Sequence, residues 1–221
     1  IIYEIIKIPN LEIYKLETNN KLKYLYAKKA FNIGLNNNIV CKNSSITDLN
    51  TQYKIIKNEL DKYSKKFLKK INLKYIVLCE NLFVSGINTA GIPNGKMKTL
   101  IIDIKFNKKY FKRSIHHEVF HIIENTFDEI FNERIWSDFN DKNFSYSECS
   151  TCTKKLGLDT YLRTSGFLTE YSKSIASEDM AEVFSHIMID KNLTFENDAI
   201  LKNKINFIKM GIYKVDKNFQ F

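Results

Sequence analysis

Residues 117–121 of this chain read His-Glu-Val-Phe-His, and this stretch constrains the fold more than any other. Two histidines four residues apart on a helix lie about 40° apart around its axis, so both imidazoles lean the same way. They can bind one metal ion, and zinc prefers imidazole nitrogen. Glu118 lies at the edge of the same face and can reach a water molecule on the metal. The stretch therefore predicts a helix on which His117 and His121 bind one catalytic zinc ion and Glu118 acts as the base.

The residues before this motif predict a strand followed by a helix. Residues 98–104 are rich in β-branched side chains, as short strands are. After Asn107, apolar residues recur at spacings of three and four, which is typical of a helix. We expect the strand Leu100–Ile104 to have an exposed edge on which a protein or peptide substrate binds as an added strand. A plain buried strand would show the same residue pattern.

A catalytic zinc ion needs a third protein ligand, which must come from a later element. The candidates are His186, the cysteines and a set of downstream carboxylates. The apolar pattern of residues 176–189 predicts a helix, with Ser177 as its cap and an acidic pair in its first turn. Interaction with the helix dipole would explain that pair without a metal. Glu178 and Glu182 are four residues apart and share one face, so one can bind metal while the other orients a ligand histidine.

An H-E-x-x-H motif followed by a glutamate on a downstream helix is the gluzincin pattern, and Tyr171 lies seven residues before Glu178. This segment resembles the catalytic domains of lethal factor and the Pro-Pro endopeptidases, in which the tyrosine supports the reaction and the glutamate binds zinc. The resemblance implies that Glu178 is the third zinc ligand. It also implies that Tyr171 is a catalytic residue that stabilises the oxyanion and that Glu182 is a supporting carboxylate.

A second resemblance covers about residues 75–190. It is carried by His116-His117-Glu118, Trp136 with Asn140, Phe144 and Tyr146, Gly166-Phe167, and Glu178-Asp179-x-Ala181-Glu182. In these positions the chain is similar to a family of zinc-binding metallopeptidases, many of which are bacterial lipoproteins or secreted proteins. The resemblance implies hydrolysis of peptide bonds and a secreted or cell-surface location, and it identifies no substrate.

The strand and helix patterns predict an α+β protein with one catalytic domain over residues 1–221. The two resemblances imply that its fold is zincin-like, as in the metallopeptidases. Residues 1–45 contain strand-like runs and form an N-terminal extension. Residues 46–126 form an upper lobe with a small twisted sheet and the metal helix, and residues 127–221 form a mostly helical lower lobe. We expect the protein to be a monomer.

Three details of this prediction depend on local residue patterns. Apolar residues on one side predict a single helix that starts at Asp48 or Asn50 and runs to about Lys70. The segment Gly86–Gly95, which includes Pro93, predicts a turn-rich connection between two strands. A closing helix is predicted for Asp198–Tyr213.

Composition narrows the range of partners. The chain of 221 residues has a net charge of +9 and no apolar run long enough to cross a membrane. Lysine and asparagine are abundant throughout, and the lysines fit a solvated surface. No nucleic-acid motif accompanies them, so we expect no nucleic acid partner. Because the chain begins at Ile1 and not at methionine, we expect either a mature form, from which a leader or lipid anchor has been removed, or an expressed fragment.

Four cysteines occur at positions 41, 79, 149 and 152. A structural zinc ribbon needs two close pairs, and only Cys149 and Cys152 are close in sequence. That pair follows a polar loop and does not open a helix, which argues against a thioredoxin-like site. A local disulfide and two free thiols both remain open. A disulfide would fit a location outside the cytoplasm.

Two functional hypotheses follow from these patterns. The first is a secreted or cell-surface endopeptidase that holds one catalytic Zn²⁺ and acts on host or extracellular proteins. The second is a binding module on a zincin scaffold that recognises a protein or peptide and cuts little. The intact Glu118 favours the first hypothesis. We expect His116 to lie at the surface or behind the ligands, His186 to be structural, and Trp136 to fill the core.

Overall fold

The structure is a computed structural model that describes residues 8–150, 157–190 and 197–221. The chain divides into two compact units, residues 1–122 and residues 123–221. Every strand among the described residues belongs to the first unit, whereas helices occur in both. The predicted α+β class is confirmed.

A twisted sheet forms the centre of the first unit. Its strands are β1 (Leu11–Lys15), β2 (Lys23–Ala27), β3 (Phe31–Ile33), β4 (Ile39–Lys42), β5 (Tyr75–Val84), β6 (Ile87–Asn88), β7 (Gly91–Asn94) and β8 (Thr99–Asp103). One path runs β1-β2-β5-β8-β7, in which β2, β5 and β8 are parallel and the two outer strands are antiparallel. The second half of β5 pairs instead with β4 and β6, and β4 pairs with β3.

The helices are α1 (Ile46–Leu60), α2 (Lys65–Lys70), α3 (Phe111–Thr126), α4 (Glu133–Ser137), α5 (Ala176–Ile189) and α6 (Ala199–Val215). The prediction of one helix over residues 48–70 is wrong, because Ser64 accepts a hydrogen bond from the Phe67 amide and so begins a second helix. The bounds predicted for α5 are confirmed. In the described parts of the chain, no helix has both the length and the apolar character needed to span a membrane.

The predicted open edge on Leu100–Ile104 is wrong. Strand β8 is paired on both sides, with Tyr75–Cys79 of β5 and with Gly91–Asn94 of β7, and all of its residues are buried. The segment 86–95 contains an edge strand as well as turns, because the chain reverses at Gly95 and lays β7 along β8. Within the described residues, β7 pairs on one side only.

A disulfide joins Cys41 on β4 to Cys79 on β5. Both sulfur-bearing residues are fully buried in a core cluster that also contains Val77, Leu82 and Ile101. The bond therefore links two strands of the sheet inside the core of the first unit. Cys149 is also disulfide-bonded, and Cys152 lies outside the described residues. In the N-terminal extension predicted to contain strands, β1–β4 lie within residues 11–42, and residues 1–7 lie outside the described part of the chain.

Candidate metal centre

Helix α3 presents His117 and His121 on one face, one turn apart. Their Nε2 atoms lie 3.1 Å apart, and the two ring planes meet at 78°. Two Zn–N bonds at the tetrahedral angle would hold their nitrogens about 3.3 Å apart, given bond lengths of about 2.0–2.1 Å. The observed separation fits two ligands of one zinc ion, as the motif predicts.

The middle of α3 is held rigidly by its apolar side chains. Ile115, Val119, Phe120 and Ile123 are all almost fully buried, as are His117 and Glu118 between them. Residues at spacings of three and four anchor the helix in the core and leave the histidine face in one orientation. A rigid backbone of this kind is what a preorganised metal site needs.

His116 lies in the core and makes two hydrogen bonds there, so the expectation of a surface position is wrong. It has no exposed surface. Its Nε2 lies 2.9 Å from Glu59 Oε2, and its Nδ1 lies 2.6 Å from the Tyr63 hydroxyl. A neutral ring with the proton on Nε2 satisfies both, since Nε2–H donates to Glu59 and Tyr63 donates to Nδ1. His116 thus fastens the metal helix to α1.

The pKa values of His116 and Glu59 are both lowered, the first by burial and the second by hydrogen bonds. Burial lowers the pKa of His116 below its usual value, and the hydrogen bond to Glu59 only partly opposes this. Burial raises the pKa of Glu59, but hydrogen bonds from His116 and Lys62 outweigh it and bring that pKa down to about 2. The carboxylate of Glu59 is therefore ionised at neutral pH.

Glu118 reaches from α3 to the edge strand β7. A Cβ atom added at Gly91 would lie 2.9 Å from Glu118 Cγ and 2.8 Å from the Ile101 carbonyl oxygen. Only glycine lets the strand pass so close to both groups. The general base predicted from the sequence therefore lies directly against the strand that forms the edge of the sheet.

In the second unit, Glu178 lies in the first turn of α5 and is partly buried. Ser177, beside it, does not cap the helix as predicted, because α5 begins after Ile175 and has no side-chain cap. Instead the Ser177 hydroxyl donates a hydrogen bond of 2.5 Å to Oε2 of Glu124. Glu124 is in the last turn of α3, three residues after His121.

Two further side chains of α5 have well-defined partners. Glu182 is almost fully buried and accepts a hydrogen bond of 3.0 Å from the Thr169 hydroxyl. His186 contacts the Glu182 carbonyl oxygen through Nδ1 and Thr160 Oγ1 through Nε2, at 2.7 and 2.9 Å. The contacts of His186 fit the structural role expected for it. The hydrogen bond from Thr169 restricts the direction of the Glu182 carboxylate.

Tyr171 begins a short 3₁₀ helix over Tyr171–Lys173 and is partly buried. Its amide donates to the Gly157 carbonyl oxygen, and its own carbonyl oxygen accepts from the hydroxyl of Ser174. Hydrogen bonds at both its amide and its carbonyl oxygen therefore restrict the backbone of Tyr171, which carries the predicted catalytic hydroxyl.

A buried polar cluster lies beside Glu178, and we call Trp136, Tyr146, Asp179 and Lys204 the Asp179 cluster. Oδ2 of Asp179 accepts from Trp136 Nε1 at 2.9 Å, from the Tyr146 hydroxyl at 2.7 Å and from Lys204 Nζ at 2.6 Å. Burial raises the pKa of Asp179 and lowers that of Lys204, and their pairing opposes both shifts. Trp136 is fully buried, as expected.

Within the described residues, the histidine, cysteine and acidic side chains include one group that could hold a metal ion, and its members are His117, His121 and Glu178. All three are residues for which the sequence analysis predicts zinc binding. The donor set of two imidazoles and one carboxylate suits zinc in a hydrolytic site.

Three residues around this group escaped the sequence analysis. Glu124 lies seven residues after His117, on the ligand face of α3, and that spacing was a usable signal. Lys204 occupies an apolar position among Leu201, Ile205 and Ile208 of α6, and a lysine there can indicate a buried partner. The importance of Gly91 had no signal in the sequence alone.

Residues 14–209 match the model of a protein family described as "Putative zinc-binding metallo-peptidase". No curated protein and no solved structure matches the chain. The matched range includes the H-E-x-x-H helix, Glu178 and the Asp179 cluster. Because the match extends over most of the sequence, the chain belongs to this metallopeptidase family.

Proposed function

We propose that this protein is a secreted or cell-surface zinc endopeptidase of the gluzincin type. The observation that carries the proposal is the pair of Nε2 atoms of His117 and His121, 3.1 Å apart on a buried helix that also carries Glu118. Zinc is the metal named in the description of the family. One zinc ion per chain is the expected content.

Glu178 is the proposed third ligand. It belongs to the one group of described side chains that could hold a metal. The hydrogen bond from Ser177 to Glu124 supports the choice, because it joins the turn that carries Glu178 to the last turn of the histidine helix. Glu182, held by Thr169, is proposed to orient a ligand rather than to bind the metal.

Bound zinc would supply a water molecule of lowered pKa and would polarise the scissile carbonyl. Glu118 accepts the proton of the attacking water and returns it to the leaving amine. The Tyr171 hydroxyl donates a hydrogen bond to the carbonyl oxygen as negative charge develops there. Burial of Glu118 against Gly91 restricts the positions that its carboxylate can take. Such preorganisation favours the proton transfer.

The proposed substrate is an extended peptide that pairs with β7. The Asp103 amide donates to the Ala90 carbonyl oxygen at 2.9 Å, so by alternation Ile92 and Asn94 also direct their backbone groups toward β8. Gly91 and Pro93 direct theirs away from the sheet. Proline has no N–H, so Pro93 offers only its carbonyl oxygen as an acceptor. Gly91 offers its amide as a donor, while its carbonyl oxygen already accepts a hydrogen bond from the Thr89 hydroxyl.

The disulfide between Cys41 and Cys79 supports a location outside the cytoplasm. Disulfides form and persist in oxidising compartments and are rare in reducing ones. Proteins that share such a compartment are therefore the proposed substrates.

Cleavage of casein and of a peptide library, followed by mass spectrometry, tests the proposal. The purified chain should cut extended peptides, lose activity with a chelator and regain it with one equivalent of zinc. His117→Ala and His121→Ala should lose bound zinc, while His186→Ala serves as a control that keeps it. A chain that binds zinc and peptides but cuts nothing would instead support the binding-module hypothesis.

A further inference from the structure

The turn of α5 that carries Glu178 lacks the usual means of fixing a helix start. The residue before the helix is Ile175, whose side chain accepts no hydrogen bond from the first turn. Uncapped first turns leave amide groups unsatisfied and open more readily than the helix interior. A metal ligand in such a turn needs other contacts to keep its direction.

Asp179, the next residue, supplies these contacts. It is fully buried, and one of its carboxylate oxygens accepts three hydrogen bonds, from Trp136, Tyr146 and Lys204. The three donors come from α4, from the segment after it and from α6. Donors on three different segments restrict the rotation of this side chain, and with it the movement of the turn that carries it.

Lys204 is itself held from several sides. It has no exposed surface, and its Nζ donates to the Gly166 carbonyl oxygen at 2.8 Å as well as to Asp179. The ammonium also lies 3.9 Å from the centre of the Phe167 ring. Replacing a buried ion pair by apolar residues of similar size is often neutral or stabilising. Stability alone therefore does not explain why a lysine occupies this position.

We propose that Asp179 and Lys204 are positioning residues, which fix the first turn of α5 so that the Glu178 carboxylate keeps the direction needed for zinc. The inference rests on the proposed function, because it takes Glu178 as a ligand. Glu178 and Asp179 are consecutive, so a rotation of the turn moves both. A displacement of about 1 Å at a catalytic group can cost about 10²-fold in rate.

Zinc affinity, measured by competition with a chelator, tests the proposal at a temperature where circular dichroism shows each variant fully folded. Asp179→Ala should bind zinc about 10–100-fold more weakly, as happens when groups that orient ligands are lost. Its cobalt-substituted form should show a shifted visible absorption spectrum. The double variant Asp179→Asn/Lys204→Met keeps an acceptor for Trp136 and Tyr146 without a buried charge, and it should recover most of the affinity.

Ile212→Ala is the matched control, because Ile212 is fully buried on the same helix as Lys204 but two turns further on. It should lower the thermal midpoint and leave zinc affinity and the cobalt spectrum unchanged. If Asp179→Ala does not fold, Tyr146→Phe removes one of the three donors and should weaken zinc binding in the same direction, by a smaller factor.

Two results would overturn the proposal. The first is a native zinc affinity in Asp179→Ala and in Tyr146→Phe when both are folded. The second is a loss of affinity in Ile212→Ala as large as that in Asp179→Ala.

The variant Glu178→Ala distinguishes failure of the positioning role from failure of the proposed function. If Glu178→Ala binds zinc normally, the ligand assignment is wrong. If it loses zinc while Asp179→Ala and Tyr146→Phe do not, only the positioning role is wrong.

Discussion

Ser177 donates a hydrogen bond of 2.5 Å to Glu124, and this bond joins the first turn of α5 to the last turn of α3. Glu178 directly follows the donor, and His121 lies three residues before the acceptor. Two short segments that are far apart in sequence thus meet next to the residues proposed to bind zinc.

Glu118→Gln should keep zinc and the fold but lose turnover. The amide has nearly the same shape as the carboxylate and cannot accept the proton of the attacking water. Loss of a general base typically lowers the rate by about 10²–10⁴-fold. Steady-state kinetics on a validated peptide, with zinc content measured in parallel, checks this. A native rate in a zinc-loaded Glu118→Gln variant would exclude Glu118 as the base.

Glu178→Ala should lose most bound zinc, whereas Glu182→Ala should retain it with an affinity lowered by about 10–100-fold. Thr169→Val, which removes the hydroxyl that donates to Glu182, should behave as a weaker form of Glu182→Ala. Chelator competition measures all three. If Glu182→Ala loses most bound zinc and Glu178→Ala retains it, the third ligand is Glu182, one helical turn further along α5.

Tyr171→Phe should keep zinc and substrate affinity but lower kcat. The hydroxyl acts only when the oxyanion forms, so its loss should lower kcat and kcat/KM together, by about 10²–10³-fold. A change confined to KM would make Tyr171 a contact of the bound substrate. Unchanged kinetics would remove the support for the resemblance to lethal factor in this segment.

Gly91→Ala should bind zinc normally and lose most peptidase activity. Its new Cβ would meet Glu118 Cγ at 2.9 Å and the Ile101 oxygen at 2.8 Å, so β7 or the base must move. Gly95→Ala is the matched control, because a Cβ atom there meets nothing within 4 Å. Equal activity in the two variants would show that β7 and Glu118 do not depend on this close approach.

The His116 network should make the metal-free protein sensitive to acid. Because the pKa of Glu59 is lowered from 4.5 to about 2, its ionised form stabilises the fold above pH 4.5, and that contribution is lost as the pH falls toward 2. The lowered pKa of His116 acts in the same direction, starting below its usual value of 6.5. Thermal midpoints of wild type and Glu59→Gln should differ near pH 7 and converge toward pH 2. A constant difference would contradict this.

The two helices that carry the candidate ligands were predictable from sequence, since apolar spacing shows which residues face the core. The same periodicity does not show how many strands a given strand pairs with, so the sequence predicts an open edge at β8, whereas β8 pairs with β7 in the structure. Ser177 has the chemistry of a cap, but its hydroxyl pairs with Glu124, a long-range contact that local pattern does not contain. The burial of Lys204 could not be predicted for the same reason, because its partner Asp179 is 25 residues away in the sequence.

His117, His121 and Glu178 are proposed to bind one zinc ion. An anomalous difference map at the zinc absorption edge, from crystals grown with zinc, tests this binding. One peak is expected about 2.0–2.2 Å from Nε2 of both histidines and from a Glu178 carboxylate oxygen. A peak bound by Glu182 in place of Glu178, or no peak beside the two histidines, would contradict it.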